Sequence, residues 1–233
     1  MIKTNSIEKV LSYSNYSRPD CSYLSASEIA GSSDYQIWLA GQKTPKTFKT
    51  PIENNVNSIV GTGFHLFAQQ AIKTEPYVLI EEELLRKVGG EWISGTCDLI
   101  RTKTKYGIVF EDWKTKGGFQ AKKTLIGDNE DTIIQLSIYR YLYWLDNQDE
   151  EYSDYGLINM FVTGDAGYFN KADGGGKLPK YKQIPVKLMS FERTEALIEH
   201  KIAITKQSEQ FKDCESWRCD YCNYECSQRS YGE

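Results

Sequence analysis

Apolar residues recur every three to four positions in two long segments of the chain. This spacing predicts a helix from shortly before residue 61 to about residue 73 and a second, wider amphipathic helix over residues 131–146. Ser25 offers N-cap chemistry for a short helix that ends near Trp38, and Ser190 can cap a final helix. The pattern therefore places helices at both ends of the chain and around its middle.

Strand patterns fill the space between these helices. Residues 77–84, 92–101 and 106–114 read as three strands joined by short turns, which predicts a meander of neighbouring strands. Residues 156–163 and 184–189 read as two further strands. The order of helix, three strands, helix and strand predicts a mixed α/β fold.

Composition changes this picture little. The 233 residues are 40% hydrophobic and 26% charged, as in ordinary globular proteins, and we interpret residues 1–233 as a single domain with its core at about 56–190 and a C-terminal helix and tail at about 191–233. No apolar run is long enough for a bilayer, and the N-terminus lacks a signal peptide pattern, so we expect no membrane contact and a reducing cytoplasm. The net charge of −4 argues weakly against non-specific coating of nucleic acid.

Two acids and a lysine form the most informative pattern. Alternation along a strand places Asp112 and Lys114 on one face and Glu111 on the other. A hairpin around residues 102–105 would bring Asp98 level with Asp112, where the two carboxylates repel unless a divalent cation holds them. A lysine beside that cation can orient or help deprotonate a water molecule, and the set is the minimum apparatus for phosphodiester hydrolysis.

Other acids and a cysteine near these positions are given structural interpretations. Glu82 and Glu83 lie on the first strand, where we expect a solvated edge, although one of them could face the site. Cys97 neighbours Asp98 but points from the opposite face, which indicates a core position.

Four cysteines near the C-terminus indicate a second metal site. Cys214, Cys219, Cys222 and Cys226 have the spacing C-x4-C-x2-C-x3-C within thirteen residues. Thiolates this dense can close a tetrahedral zinc site or hold an iron–sulfur cluster, and a tail with free thiols is the remaining alternative.

The acidic pattern resembles the signature of the PD-(D/E)xK nuclease superfamily. Asp98, followed fourteen residues later by Asp112-Trp113-Lys114, matches that signature, and residues 95–100 (GTCDLI) and 112–115 (DWKT) resemble its RecB-type branch. Residues 61–65 (GTGFH) resemble the helical motif whose histidine, here His65, ligates the metal. Residues 135–139 (QLSIY) resemble the Gln-x-x-x-Tyr motif, and their spacing puts Gln135 and Tyr139 on one helical face.

The resemblance implies a fold, a reaction and its cofactors. The fold is a restriction-endonuclease-like α/β core, a central mixed sheet flanked by helices, with a cysteine-rich C-terminal metal clamp. The reaction is hydrolysis of DNA in processing, recombination or repair, with exonuclease action favoured because compact phage and CRISPR-adaptation exonucleases are the most similar. His65, Asp98, Asp112 and the Trp113 carbonyl would hold Mg²⁺ or Mn²⁺, Lys114 would position the water, and Gln135 and Tyr139 would contact DNA or support the site.

The resemblance also suggests how the cysteines are used. Several RecB-type exonucleases hold a [4Fe–4S] cluster through one cysteine before the core and three near the C-terminus, which makes Cys21 an alternative ligand. This chain departs from that pattern because Cys214 adds a fourth local thiol and the gap before Cys226 is short. Five cysteines therefore compete for four positions. We favour the cluster and keep zinc as the alternative.

A different class of function remains open from the sequence. The same fold could serve as a non-catalytic subunit that binds nucleic acid or a protein partner, although the complete set of two acids and a lysine argues against a decayed site. The cytoplasm would be that of the host if a phage encodes the chain. Protein partners, oligomeric state, strand preference and polarity are not indicated by any motif.

Overall fold

A computed structural model describes residues 24–44, 55–163, 167, 169 and 175–208 of the chain. The helices are α1 (Ala26–Gly31), α2 (Asp34–Gly41), α3 (Asn55–Ile72), α4 (Gly118–Leu125), α5 (Glu130–Trp144) and α6 (Phe191–Thr205). The strands are β1 (Leu24–Ser25), β2 (Val78–Val88), β3 (Glu91–Arg101), β4 (Val109–Lys116), β5 (Tyr155–Val162) and β6 (Tyr181–Lys187).

The strands form one mixed sheet in which β2, β3 and β4 make the predicted meander. Both of its pairings are antiparallel, whereas β4 and β5 run parallel and β5 and β6 run antiparallel. The helices α4 and α5 lie in the connection between the two parallel strands, as a crossover requires. Strand β2 occupies one edge of β3, so β1 and β4 share its other edge at different heights.

The helix predictions were correct for the long segments and incomplete for the short ones. One helix was predicted from Ser25 to about Trp38, but two form, because Ser25 and Ser33 each start a helix with a capping box. Helix α4 was not predicted; it has only 8 residues and lies between Gly117 and Gly127, so its period is too short to read. Ser190 caps α6 as predicted, through the backbone N–H of Arg193.

The main core lies between the sheet and helices α1, α5 and α6. Helix α5 is central: every residue from 136 to 142 is buried, including Arg140, which donates hydrogen bonds to the carbonyls of Ser153 and Met189. Helix α3 differs, because its apolar period does not mark a buried face: Val60 is 45% exposed and Phe67 is 72% exposed. Among the described residues, no helix combines the length and the apolar character that crossing a membrane requires.

Candidate active site

The antiparallel pairing of β3 and β4 ends where the two candidate carboxylates lie. Leu99 opposite Glu111 is the last pair of the ladder, so Asp98 and Asp112 are the next residues on the two strands. The freed backbone N–H of Trp113 donates to Oδ2 of Asp98 at 2.7 Å. The predicted hairpin therefore brings the two acids level at the point where the strands separate.

Lys114 lies beside Asp112, as alternation along the strand predicts. Its Nζ donates to Oδ1 of Asp112 at 2.8 Å. Burial opposes the charge on Lys114, but Asp112 and then Asp98 outweigh it and raise the pKa of the lysine above its ordinary value. Lys114 therefore carries an ammonium group at neutral pH, which suits electrostatic work better than proton abstraction.

The second oxygen of Asp112 is the clearest sign of a missing partner. The residue is 3% exposed, and its Oδ2 is buried without a hydrogen-bond partner. A buried carboxylate oxygen without a donor or a cation costs free energy, so such atoms are uncommon in folded proteins. The orphaned oxygen fits a divalent cation, for which carboxylates are preferred ligands.

Helix α3 brings His65 to the same place. Its Nε2 lies 2.8 Å from the Trp113 carbonyl, and its ring packs edge-on against the Trp113 indole at 5.9 Å between centroids. The helix can approach β4 closely because Gly61 faces Thr115: an added Cβ would lie 3.3 Å from its Oγ1. The small residue in the GTGFH segment thus has a packing role beside the histidine.

Glu81 on β2 joins the site, although the sequence analysis did not single it out. Its Oε1 lies 3.9 Å from Nδ1 of His65, and Oδ1 of Asp98 lies 3.6 Å from the same nitrogen. Ligand atoms of His65, Glu81 and Asp98 all lie within 4.8 Å of one another. Glu81 stands opposite Asp98 in the register, but the two are not paired, and its φ of 51° is in the left-handed region.

Strict alternation along β2 and β3 fails at this position. Cys97 and Ile100 are three residues apart, yet both belong to the main core, and so does the partly buried Leu79 opposite Ile100. Each strand therefore has one residue that interrupts the usual alternation of faces: Asp98 on β3 and Glu81 on β2. A residue with positive φ of this kind persists only where its surroundings hold it, and such residues gather at functional sites.

The charges at the site strongly affect Asp98. Burial and the negative charge of Asp112 raise its pKa from an ordinary 3.8 to about 6, and His65 and the Trp113 N–H only partly oppose this. The charge of Asp112 thus disfavours the ionised form of Asp98, which is the electrostatic situation that a cation relieves.

Gln135 and Tyr139 lie on one face of α5, as their spacing predicts. Gln135 Nε2 donates to the Tyr139 hydroxyl at 2.6 Å, and Tyr139 is 4% exposed. Burial, followed by the nearby Cys97 and carboxylates, raises the pKa of Tyr139, so its phenol keeps its proton. The ring rests on Gly95 of β3, where an added Cβ would lie 2.5 Å from the Tyr139 Cε1 atom.

Other candidate residues do not join the acidic group. Glu111 is buried and accepts from Arg101 Nε at 2.6 Å and Asn159 Nδ2 at 2.7 Å, which satisfies its charge away from Asp112. Cys97 is fully buried in the core, as expected. Five further cysteines lie outside the described residues: Cys21, Cys214, Cys219, Cys222 and Cys226.

The chain is similar to known proteins in its family pattern and in its fold. The family model of the PD-(D/E)XK nuclease superfamily matches residues 40–227. Among solved structures, the fold is similar to that of a protein named SSO0001, with a TM-score of 0.57 and 16% identity over 93% of this chain and 91% of that chain. An alkaline exonuclease from Laribacter hongkongensis has a TM-score of 0.45 and 12% identity over 79% of this chain and 90% of that one. No curated protein sequence matches the chain.

Proposed function

Because the chain belongs to the PD-(D/E)XK nuclease superfamily, we propose that it is a divalent-metal-dependent deoxyribonuclease that hydrolyses phosphodiester bonds. The observation that carries the proposal is the buried, unpartnered Oδ2 of Asp112 beside Asp98, His65 and Lys114. Carboxylate oxygens and an imidazole nitrogen suit Mg²⁺ or Mn²⁺. We therefore assign cation binding to His65, Asp98 and Asp112.

The residues around the cation have separable roles. The cation, when bound, would supply Lewis-acid stabilisation of charge on a phosphate oxygen. Asp112 holds the Lys114 ammonium at 2.8 Å, so this charge is fixed next to the cation ligands, where it can orient a water molecule and offset negative charge. Gln135 and Tyr139, on the helix that covers β3, would contact DNA or support the carboxylates.

Exonuclease action is the form of the reaction that we favour. The reason is the likeness of the complete motif set, over residues 61–139, to that of exonucleases of the RecB-type branch. The preference is an analogy at the level of family, since a shared fold does not fix the reaction product.

An end-labelling assay tests the proposal directly. Purified protein is incubated with single- and double-stranded DNA labelled at the 5′ or the 3′ end, in Mg²⁺, in Mn²⁺ and in excess EDTA. We expect mononucleotide or short products from one end in either metal, no cleavage in EDTA, and none with Asp112→Asn. Cleavage that persists in EDTA would contradict the cation site, and DNA binding without cleavage in any condition would favour a non-catalytic binding subunit.

We further propose that the C-terminal cysteines bind a metal within the same nuclease domain, residues 1–233. These residues lie outside the described part of the chain, so the proposal rests on the spacing of the cysteines, C-x4-C-x2-C-x3-C. We favour a [4Fe–4S] cluster, with Cys21 as an alternative ligand and zinc as the alternative metal. Anaerobically purified protein should contain about four iron atoms per cluster or about one zinc atom per chain, and a metal-free preparation would reject both.

A further inference from the structure

Helix α4 exposes an aromatic ring soon after the end of β4. Phe119, the second residue of the helix, is 74% exposed, and Ile126, which caps it, is 62% exposed. The opposite side of α4 is buried: Ala121 and Thr124 are 0% and 1% exposed, and Ala121 packs in one cluster with Met160 of β5. The helix is therefore held by its inner side, and the phenyl ring adds little to the packing of the core.

The charges along this part of the chain are positive. Residues 113–127 contain four lysines and no acid. Lys116 lies two residues beyond Lys114 on the same face of β4, and Lys122 lies about one helical turn after Phe119. Ammonium groups in such positions can contact phosphates of one nucleic-acid strand. An apolar ring among cations is the combination with which proteins bind single strands.

One face of the phenyl ring is already covered. The Nζ atom of Lys123 lies 5.3 Å from the centroid of the Phe119 ring and 3.9 Å from Oδ2 of Asp128. Because Asp128 partly offsets its charge, Lys123 supports the ring, and we assign it no phosphate contact. With 74% of the Phe119 side chain exposed, the other face of the ring is open to a ligand.

The ring is within reach of a DNA strand held at the candidate active site. Phe119 follows Lys114 by five residues, so their Cα atoms are at most about 18 Å apart, and less because α4 begins at Gly118. A strand with stacked bases advances about 3.4 Å per nucleotide. A base on Phe119 would therefore lie within about five nucleotides of the phosphate at Asp112 and Lys114.

We propose that Phe119, Lys116 and Lys122 bind an unpaired stretch of the DNA strand beside the phosphate that is cleaved, with one nucleobase stacked on Phe119. Bases inside a duplex stack on one another, so only an unpaired or terminal base can present its face to a side chain. The lysines would bind the phosphates of paired and unpaired strands alike. The surface thus favours single-stranded DNA or a frayed end. The inference deepens the proposed nuclease function and rests on it for the choice of DNA as the ligand.

The first test measures the affinity of the intact chain for fluorescent DNA in Mn²⁺. The Lys114→Met background, in which cleavage should be slow, keeps the DNA from being consumed. We expect Phe119→Ala to weaken binding of single-stranded oligothymidylate about tenfold, as the loss of one stacked base does. Binding of a blunt duplex should change by less than about twofold, because its phosphate contacts remain. Lys122→Met should weaken the binding of both DNAs.

Tyr106→Ala is the matched control in the same background. Tyr106 is 62% exposed and has the Lys105 ammonium 4.7 Å from its ring centroid, but it precedes β4, whereas Phe119 follows that strand. We expect this variant to bind both DNAs unchanged, and melting curves establish that every variant folds. The proposal is overturned if Phe119→Ala keeps its single-strand affinity, loses affinity for both DNAs equally, or loses no more than Tyr106→Ala.

Photocrosslinking locates the contact in the wild-type protein. Single-stranded DNA with 5-iodouracil at one position is irradiated with the protein in EDTA, and mass spectrometry identifies the attached residue. We expect attachment to Phe119. Attachment only to Tyr181 of β6, which is 49% exposed, would overturn the proposal, and so would a Phe119→Ala variant that changes only the oligomeric state.

The same experiments separate this inference from the proposed function. Attachment of DNA to Phe119 in a protein that never cleaves DNA would contradict the proposed function alone. Metal-dependent cleavage, together with unchanged single-strand affinity in Phe119→Ala, would contradict the binding surface alone.

Discussion

At the scale of single residues, the pair of Asp112 and Lys114 shows how burial defines a role. The carboxylate is buried and uses one oxygen for the lysine, while the other has no partner. The lysine is held protonated because the surrounding acids outweigh its desolvation. It cannot ligate a cation in that state, so we propose that its contribution is made in the transition state.

Lys114→Met should separate catalysis from cation binding. We expect the rate of DNA cleavage to fall on the order of 10²–10⁴-fold, because a fixed positive charge is lost where negative charge develops. Mn²⁺ affinity should not fall, since the variant removes a repulsive charge from the ligand group. Single-turnover kinetics and calorimetry measure the two effects. Lys123→Met on α4 is the control, and wild-type cleavage by Lys114→Met would make the lysine a structural partner of Asp112.

The raised pKa of Asp98 gives a pH dependence with a defined sign. Its folded-state pKa of about 6 is above the ordinary 3.8, so the folded state prefers the protonated form. In EDTA this contribution to stability is complete below about pH 4 and is lost as the pH rises through about 6. Mn²⁺ needs the ionised carboxylate, so its affinity should rise over the same range.

Thermal melting in EDTA and in Mn²⁺, from about pH 4 to about pH 7.5, measures this effect. The difference between wild type and Asp98→Asn isolates the one carboxyl group. In EDTA, wild type should lose stability relative to Asp98→Asn as the pH rises, and Mn²⁺ should restore it. A difference that does not change with pH would show that Asp98 is not the titrating group.

At the scale of elements, the contact between β3 and α5 depends on one glycine. Tyr139 lies so close to Gly95 that a methyl group there would meet its ring at 2.5 and 2.9 Å. The tyrosine hydroxyl in turn accepts from Gln135. A larger residue at position 95 would displace the ring, and with it the residue pair that we place next to the carboxylates.

Gly95→Ala should therefore destabilise the protein by about 1–3 kcal/mol, as overpacking of a core does. It should also reduce cleavage, because Gln135 and Tyr139 move together. Gly63→Ala is the matched control, since nothing lies within 4 Å of its added Cβ and alanine favours a helix interior by about 0.5–1 kcal/mol. Chemical denaturation compares them, and equal stability of the two variants would contradict this account of the packing.

At the scale of the whole molecule, an ion pair joins the first helices to the last one. Lys201 of α6 is 9% exposed and donates to Oδ1 of Asp34 at 2.7 Å and to the Ser32 carbonyl at 3.3 Å. Asp34 begins α2, which lies more than 160 positions earlier in the chain. This contact fixes both ends of the described fold on the same side.

Asp34→Asn should lower the free energy of unfolding by about 1.5–3 kcal/mol, because it weakens a charge-assisted hydrogen bond to a buried lysine. Asp154→Asn is the control: that carboxylate is 82% exposed and 3.9 Å from Arg140, so the expected cost is below about 1 kcal/mol. Urea denaturation measures both. If the two variants lose the same stability, the buried pair does not hold α2 against α6.

The sequence by itself determined the regular part of this protein. The three strands of the meander, helix α5 and the capped start of α6 follow from local periods and caps, which are properties of neighbouring residues. The alternation of side chains along a strand placed Asp112 and Lys114 on one face, and the short turn between the strands set Asp98 opposite them. Motif spacing then indicated the family that residues 40–227 match.

The tertiary structure decided what local patterns do not encode. Alternation fails at Asp98 and Glu81, because the left-handed backbone of Glu81 lets the two strands depart together from their usual faces. No residue type in the sequence indicates this departure. A solvated edge was expected at Glu82 and Glu83, with one of them able to face the site, but it is their neighbour Glu81 that meets His65 and Gln69 of α3. Which carboxylate joins the site depends on a helix and two strands meeting in space, and spacing along the chain does not carry that information.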